Sequence, residues 1–205
     1  MKIVFALLNS LFLAGCSLFG IQSEESPGYE ILEKHGTVEI RQYRPFLVVQ
    51  TEDAGDYESA SKLSFFRLFD YISGKNQSKQ KIAMTAPVLQ EPKPEKITMT
   101  APVFQEQSGQ KWTMRFVLPS QYQLATAPQP TDPAVLIKEI PAKKVAVLEF
   151  SGFLNKNNIA EKKEELSTWL KENNLKAISE SRSAGYNPPW TIPFLRRNEV
   201  HIDIE

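Results

Sequence analysis

Alternating apolar and polar positions dominate the chain from Tyr29 to its end. Residues 29–34 and 38–51 alternate with period two, as half-buried strands do, and His35-Gly36 between them is typical of a turn. The same pattern predicts further strands over residues 112–118, 135–140, 143–150, 177–184 and 199–204. The pattern therefore predicts a fold built mainly from an antiparallel sheet.

Two stretches change to the helical period. Over residues 56–73 an apolar stripe recurs at i, i+3, i+4 and i+7. It predicts a helix that buries Phe65, Leu68, Phe69 and Ile72. Asp56 can cap the first turn of this helix and Gly74 can end it. A second helix is predicted over residues 157–173, with an apolar side formed by Ile159, Leu166, Trp169 and Leu170.

One octapeptide occurs twice. The sequence KIAMTAPV at residues 81–88 returns as KITMTAPV at residues 96–103, identical at seven of eight positions. Each copy alternates like a strand, and residues 91–95 between them form a polar turn broken by prolines. We therefore predict a hairpin with matched arms. Because proline cannot donate to a strand ladder, Pro87 and Pro102 mark an edge or a bulge of that hairpin.

The predicted elements come in a repeated order: hairpin, helix, hairpin, and then the same again. Residues 119–133, rich in Pro, Gln, Ala and Thr, join the two passes as a crossing loop. This order predicts an α+β domain, a distorted antiparallel β-barrel or open sheet with two helices, built from two pseudo-repeated halves. The chain from Tyr29 onward is long enough to bury a substantial core.

Charge is balanced and mixed along the chain. Lys and Arg number 24, Asp and Glu also number 24, and no basic block extends beyond pairs such as Arg196-Arg197. Nucleic-acid binding needs a basic patch, so the composition argues against that function. The sequence also lacks the motifs of zinc proteases, α/β-hydrolases and phosphate loops. We therefore expect a protein that binds a partner and is not an enzyme.

The N-terminus carries a separate signal. Lys2 precedes an apolar run over residues 3–13, which is too short to span a bilayer and is typical of a signal peptide, here residues 1–15. The run ends in Leu-Ala-Gly-Cys, which resembles the bacterial lipobox, and Cys16 is the single cysteine of the chain. That resemblance implies lipidation of Cys16, and lipid chains anchor a protein through buried CH₂ groups.

The lipobox resemblance also implies a location. Residues 16–28 form a short polar tether, and residues 29–205 form the domain that it holds at the membrane. We expect a lipoprotein of the bacterial cell envelope that faces the periplasm. The residue that follows Cys16 is Ser17 rather than Asp, and this favours the outer membrane.

Four motifs together resemble one protein family. They are Tyr29-Glu30-Ile31 with residues 38–43; the doubled Met-Thr-Ala-Pro-Val; Phe150-Ser151-Gly152; and residues 184–190 with Pro193-Phe194 and residues 196–200. In this order and spacing they resemble the SOUL haem-binding proteins over residues 29–205. The resemblance implies a distorted β-barrel with two helices. It also implies non-covalent binding of haem, or of another planar apolar tetrapyrrole, without chemistry on the ligand.

A tetrapyrrole is a flat apolar plate with two carboxylates, so its site needs apolar walls and cations at the rim. Within the resemblance, Arg41, Arg196 and Arg197 are the candidates for the carboxylates, because guanidinium binds them bidentately. The alternative for these arginines is internal pairing with Glu39 or Glu199.

Few side chains of this sequence could ligate haem iron. Some relatives carry histidine after the Ile-Arg pair, where this chain has Gln42, and a carboxamide cannot replace imidazole as a strong iron ligand. Met84, Met99 and Met114 offer thioethers and Tyr43 a phenolate. The alternative for all four is packing in the core.

The remaining candidates are the two histidines and one tryptophan. His35 lies in a predicted turn and is interpreted as solvated. His201 shares a strand face with Asp203 and is interpreted as a surface or half-buried residue. Trp190, in a rigid Asn-Pro-Pro-Trp loop, either forms the lip of a pocket or covers the barrel end. Two other functions stay open: an envelope scaffold without a small ligand, and a small-molecule hydrolase on the same fold.

Overall fold

The computed structural model describes residues 24–78 and 93–205, and these residues form eleven strands and two α-helices. The strands are β1 Tyr29–His35, β2 Val38–Tyr43, β3 Phe46–Ala54, β4 Asn76–Gln77, β5 Val103–Ser108, β6 Lys111–Val117, β7 Gln129–Pro130, β8 Leu136–Ile140, β9 Lys143–Phe150, β10 Arg182–Gly185 and β11 Asn198–Ile204. The helices are α1 Tyr57–Ile72 and α2 Lys156–Glu172, and Pro193–Leu195 form a 3-10 turn. Within the two described ranges, no helix is both long and apolar enough to cross a membrane.

Nine strands form one antiparallel sheet in the order β1-β2-β9-β11-β10-β5-β6-β3-β8. The order is symmetric about the pairing of β10 with β5: β11, β9 and β2 on one side correspond to β6, β3 and β8 on the other. The two halves exchange a strand, because β2 of the first half pairs with β9 of the second, and β8 of the second half pairs with β3 of the first. The predicted α+β fold with two pseudo-repeated halves is confirmed.

A two-residue link forces this sheet to curl. Arg44-Pro45 joins β2, second from one edge of the sheet, to β3, second from the other edge. The two ends of the sheet must therefore approach each other. Phe46 accordingly packs against Tyr43, Val145 and Val147, which belong to the opposite end. The sheet becomes a distorted half-barrel, and we call its concave side, opposite the helices, the inner face.

Each helix begins at the side-chain cap of a loop residue. Asp56 accepts hydrogen bonds from the backbone N–H groups of Glu58 and Ser59, at 3.0 Å each. Asn155 accepts one from the backbone N–H of Asn158 at 2.9 Å. These caps satisfy donors that the first turn of a helix leaves free, which is why both helices begin where the sequence predicts.

Helix α2 packs on the outer face of the sheet as predicted. Leu166 and Leu170 are buried against apolar residues of β2, β9 and β11, and Trp169 is half-buried beside them. Ile159 is also buried, one turn after the start of the helix. The apolar stripe of α2 is therefore used entirely for seating the helix.

Helix α1 is rotated relative to the prediction. Phe69, which we expected in the core, is 42% exposed, and Phe65 is half-buried. A polar contact explains the rotation, because the hydroxyl of Ser64 donates to the buried carboxylate of Asp53 on β3 at 2.6 Å. This bond turns Ser64 toward the sheet and carries Phe69 outward. The buried positions are Ala60, Ser64, Leu68, Tyr71 and Ile72.

The predicted hairpin of the doubled octapeptide is wrong in its second arm, and its first arm lies outside the described residues. Only Val103 of the second copy belongs to a strand. The rest is held by other contacts: the backbone N–H of Ile97 donates to Ile72 at the end of α1, at 2.8 Å, and that of Ala101 donates to Glu25, at 3.0 Å. Alternation alone could not reveal these competing partners.

Two strands differ from the expected pattern. β5 was not predicted, since its residues are mostly polar, yet it forms a hairpin with β6 around Gly109, whose φ is +59°. β10 covers only four residues, at the end of the predicted 177–184 strand, and Ala177 makes a single bridge to Ile204. β5 of this hairpin pairs with β10, and this pairing joins the two halves at the centre of the sheet.

Candidate functional site

A buried charge network centred on Glu199 occupies one end of the inner face. Arg41 of β2 donates to both carboxylate oxygens of Glu199, at 3.1 Å each, across the intervening strand β9. Arg197 and the hydroxyl of Tyr186 donate to the same carboxylate at 3.0 and 2.7 Å. Arg41 also donates to Glu39 at 2.8 Å. The internal pairs considered for these arginines are therefore present, and Arg41, 1% exposed, has no free surface for a ligand.

Pairing with each other keeps Glu199 and Arg41 charged although both are buried. Burial by itself raises the pKa of Glu199, but the hydrogen bond with His201 and the charge of Arg41 hold it far below its ordinary value. Burial opposes the charge of Arg41 too, yet the carboxylate of Glu199 raises the pKa of that guanidinium. Removing one partner would leave a buried charge uncompensated, which costs about 3–5 kcal/mol. The network therefore ties β2 to β11 inside the half-barrel.

His201 is fully buried, so the prediction of a surface or half-buried residue is wrong. The rings of Tyr43 and Phe104 lie 6.0 and 5.4 Å from its imidazole, between centroids. Burial lowers the pKa of His201 to about 4, despite the opposing effect of Glu199. The ring is therefore neutral at pH 7, and its Nε2–H donates to Glu199 at 2.7 Å. Its Nδ1 makes no hydrogen bond within the described part of the chain.

Tyr43 and Gln42 lie on opposite faces of β2. Tyr43 is buried on the inner face, where its hydroxyl accepts from Arg41 at 3.2 Å. Burial raises the pKa of Tyr43 to about 12, so the phenolate that could ligate iron does not form at neutral pH. Gln42 is half-buried on the outer face, in the half of the sheet on which α2 packs.

The Asn-Pro-Pro-Trp loop between β10 and β11 projects from the domain. Trp190 is 64% exposed, so it does not cover the barrel end. Arg196 holds the loop itself, donating to the carbonyls of Thr191 and Pro189 at 2.7 and 2.6 Å. Its guanidinium also lies 5.3 Å from the ring centre of Phe153. The structure therefore does not bring Trp190 and Arg196 together with the network around Glu199.

The described candidate methionines also lie away from the network around Glu199. Met114 is buried in the core beneath α1, and Met99 is half-buried against that core. Met84 and the lipidation candidate Cys16 lie outside the described residues. Met99 is thus a thioether next to α1 and remote in the fold from the Glu199 network, which lies on the inner face.

A surface that we did not predict lies on the outward side of α1. Leu63, Phe66 and Phe69, three residues apart along the helix, are 52%, 56% and 42% exposed. Phe65 lies beneath two of them, since its ring is 6.0 Å from those of Phe66 and Phe69 between centroids and meets Phe116 of the core at 5.4 Å. We call Leu63, Phe66 and Phe69 the α1 apolar face. Large apolar side chains grouped in this way mark binding surfaces more often than isolated ones do.

A groove of about 260 Å³ adjoins this face. Leu63 and Phe66 form one wall, and Val135 and Tyr71 lie deeper. Arg67 of α1 reaches the groove but is paired with Asp53 and Asp132, at 2.7 and 3.2 Å, and Lys75 is paired with Asp70 at 2.7 Å. Lys62, exposed on the same side of the helix, makes no ion pair within the described ranges. The surface therefore combines apolar walls with one available cation.

The described residues hold no group of three or more His, Cys, Asp or Glu side chains suited to a metal ion. Both histidines of the chain are also remote from the α1 apolar face. His35 is exposed and lies beside Trp169 of α2, with ring centroids 5.5 Å apart, and His201 is on the inner face. The arrangement can thus hold a flat apolar molecule by contact, without a histidine ligand.

One sequence signal could have revealed the α1 apolar face. Helix α1 has more apolar residues than one stripe can use, since Leu63 and Phe66 fall outside the predicted i, i+3, i+4, i+7 set. A helix that is apolar on two sides either lies within a core or has a partner on its second side. The pattern was present, but the prediction treated one stripe as the whole helix.

Solved structures of low sequence identity share this fold. The C-terminal domain of EcmrR matches with a TM-score of 0.58 at 12% identity, over 86% of this chain and 98% of that domain. A structure described as a hydrolase from Listeria innocua matches with a TM-score of 0.52 at 8% identity, over 85% and 94% of the two chains. At such identities the likeness defines the class of fold, a two-helix curled α+β half-barrel, and no more.

Sequence comparison is more specific. The profile of the SOUL heme-binding protein family matches residues 24–203. Heme-binding protein 2 of Homo sapiens is 33% identical over 188 residues, 88% of this chain and 86% of that protein. Heme-binding protein 1 of Xenopus tropicalis is 30% identical over 187 residues, 90% and 93% of the two chains. This chain belongs to the SOUL family, as its motifs indicate.

Proposed function

We propose that this protein binds haem, or a closely related tetrapyrrole, non-covalently on the α1 apolar face and does not transform it. The observation that carries the proposal is the exposure of Leu63, Phe66 and Phe69 on one side of one helix. The names of the human and Xenopus relatives support the class of ligand. Neither relative's name specifies the surface, which we assign from this structure.

The fit of a tetrapyrrole rests on surface chemistry. Covering half of a large apolar side chain stabilises a complex by about 1 kcal/mol, so the three residues contribute about 3 kcal/mol before the ligand's own apolar surface is counted. Lys62 is placed on the same side of α1 to meet a carboxylate of the ligand. Bound haem would supply the iron centre, and the described candidate ligands on this side of the sheet are Met99, which is half-buried, and Met114, which is buried in the core.

A matched pair of variants tests this assignment. Phe66→Asp on α1 should weaken hemin binding at least about tenfold, since it removes apolar contact and adds a charge that repels the carboxylates. Thr168→Asp, at the corresponding exposed position of α2, should leave the affinity unchanged. Affinity is read from the saturable Soret change on hemin titration of the full chain. Equal affinities of the two variants would contradict the proposed surface, and a wild type without saturable change would contradict haem as the ligand.

Gln42→His gives an independent test of location. Gln42 lies on the outer face of β2, in the half of the sheet on which α2 packs, so this substitution should leave the hemin spectrum unchanged if the ligand sits on α1. A shift to a low-spin spectrum would place the iron near β2 and overturn the α1 site. His35→Ala should keep hemin affinity within about threefold, since His35 is also on the α2 side.

We also propose that lipid on Cys16 holds this domain at the bacterial envelope membrane, facing the periplasm. The support is the Leu-Ala-Gly-Cys motif after a short apolar run. Cys16→Ser should move the protein from the detergent phase to the aqueous phase in phase partitioning. A Cys16→Ser variant that still partitions with detergent would contradict lipid attachment at Cys16.

A further inference from the structure

A second cavity lies on the inner face, on the other side of the sheet from α1. It has a volume of about 230 Å³ and is floored by apolar residues of β3, β5 and β8. Phe104 is buried at its base, and Phe46 lies 6.3 Å from Phe104 between ring centroids. Val48 and Ile140 complete the floor. We call this cavity the inner groove.

The walls of the inner groove carry more positive than negative charge. Four cationic side chains line it, against two carboxylates. The cations are Arg115, Lys138, Lys143 and Arg182, and the carboxylates are Glu106 and Asp203. In a chain with equal numbers of acidic and basic residues, this is a local excess of two positive charges over an apolar floor.

Existing ion pairs leave one cation available. Asp203 is bound by Lys143 and Arg182, at 2.5 and 2.7 Å, so one carboxylate serves two cations. The carboxylate of Glu106 forms an ion pair with the guanidinium of Arg115, with an N–O distance of 2.7 Å. Lys138, exposed on β8, has no ion pair or hydrogen bond within the described residues. The side chains of Arg115, Lys143 and Arg182 are only 12–27% exposed, so their charges act in a partly desolvated site.

We propose that the inner groove binds a small flat organic acid, an aromatic or alicyclic ring carrying one or two carboxylates. The ring would lie on Phe104 and Phe46, and a carboxylate would meet Lys138 beside the cations held by Asp203. The volume of about 230 Å³ suits a ligand of one or two rings. This site is separate from the α1 apolar face and does not depend on haem binding there.

The test compares two probes of the same shape, 2-naphthoate and its neutral isostere 2-naphthamide. Titration of the full chain, followed by backbone amide NMR shifts, should show saturable binding of naphthoate with shifts in β5 and β10. We expect naphthamide to bind at least about tenfold more weakly. Lys138→Ala should weaken naphthoate about threefold and Lys138→Glu about tenfold, as expected for one exposed charge removed or reversed.

Two control variants make the result decisive. Lys156→Ala removes an exposed lysine on α2 and should leave naphthoate affinity unchanged. Phe66→Asp, which should weaken hemin binding on α1, should not affect naphthoate. Equal binding of acid and amide, an unchanged affinity of Lys138→Glu, or shifts confined to α1 would each overturn the inner-groove site. Because hemin and naphthoate are measured separately, failure of one proposal does not imply failure of the other.

Discussion

The two helices occupy corresponding places in the two halves of the sheet, yet they present different surfaces to solvent. When α1 and α2 are aligned on their buried positions, Leu63, Phe66 and Phe69 of α1 correspond to Glu165, Thr168 and Lys171 of α2. All six are exposed. One helix is thus apolar where its counterpart is polar.

The comparison shows that this fold does not need apolar side chains on the outer side of a helix. Helix α2 seats itself with a buried apolar stripe and a polar outer side, as a surface helix of a globular protein does. The same architecture therefore does not require apolar residues on the outer side of α1. Their presence there is the reason for assigning a ligand to that surface.

The contacts that hold the two helices on the sheet differ as well. Beneath α1, the carboxylate of Asp53 accepts from Ser64 and from Arg67, at 2.6 and 2.7 Å. Beneath α2, the contact consists of aliphatic side chains such as Leu166 and Leu170. A hydrogen bond fixes rotation more narrowly than apolar contact does, since it has a required direction. The hydrogen bonds to Asp53 thus keep the apolar face of α1 directed outward.

The largest expected effect concerns the buried sides, where the helices should behave alike. Leu68→Ala on α1 and Leu166→Ala on α2 should each lower the free energy of unfolding by about 3 kcal/mol, because both side chains are fully buried. Chemical denaturation of the two variants measures this directly. A cost several-fold smaller in one helix would show that the halves are not equivalent in packing.

A second prediction concerns the acid sensitivity of the second half. Unfolded chains protonate histidine below about pH 6.5, whereas His201 in the folded protein stays neutral until its pKa of about 4. Unfolding therefore takes up a proton in this window, and the folded state loses stability as the pH falls. The loss should reach about 2 kcal/mol between about pH 7 and about pH 5.

Two histidine variants check this assignment by denaturation at the same two pH values. His201→Gln should remove most of the pH dependence, whereas His35→Gln, which alters an exposed residue, should retain it. The same slope in His201→Gln as in the wild type would assign the acid sensitivity to other groups.

The smallest expected effect concerns the outer sides. Phe69→Ala should cost about 1 kcal/mol, because the side chain is 42% exposed and loses mainly its stacking on Phe65. Thr168→Ala on α2 should change the free energy of unfolding by less than about 0.5 kcal/mol. Denaturation midpoints compare the two. A loss as large as that of Leu68→Ala would mean that Phe69 belongs to the core after all.

Much of the fold could be predicted from local patterns. The helix caps, the alternating strands and the repeated order of elements are local, so they specified α1, α2 and most strands within a few residues. The doubled octapeptide shows the limit of this reasoning. Its second copy alternates like a strand, but its backbone groups bond to Ile72 and Glu25, which are distant in sequence.

The candidate site was harder to predict than the fold. Of the three candidate arginines, Arg41 and Arg197 pair with Glu199, whereas Arg196 binds carbonyls of its own loop. No local pattern reports whether a cation is already paired. Leu63 and Phe66 were overlooked because a one-stripe description of a helix hides its second apolar side.

The sequence by itself determined the family, the two-helix α+β architecture and the pseudo-repeat, because these follow from motifs and from periods of two and 3.6 residues. Only the tertiary structure decided which charges are buried, which side of α1 faces solvent, and that a second groove lies on the inner face. Those properties depend on contacts between strands far apart in sequence, such as β2 with β11 across β9. Their free energies come from burial and pairing, which exist only once the sheet has curled.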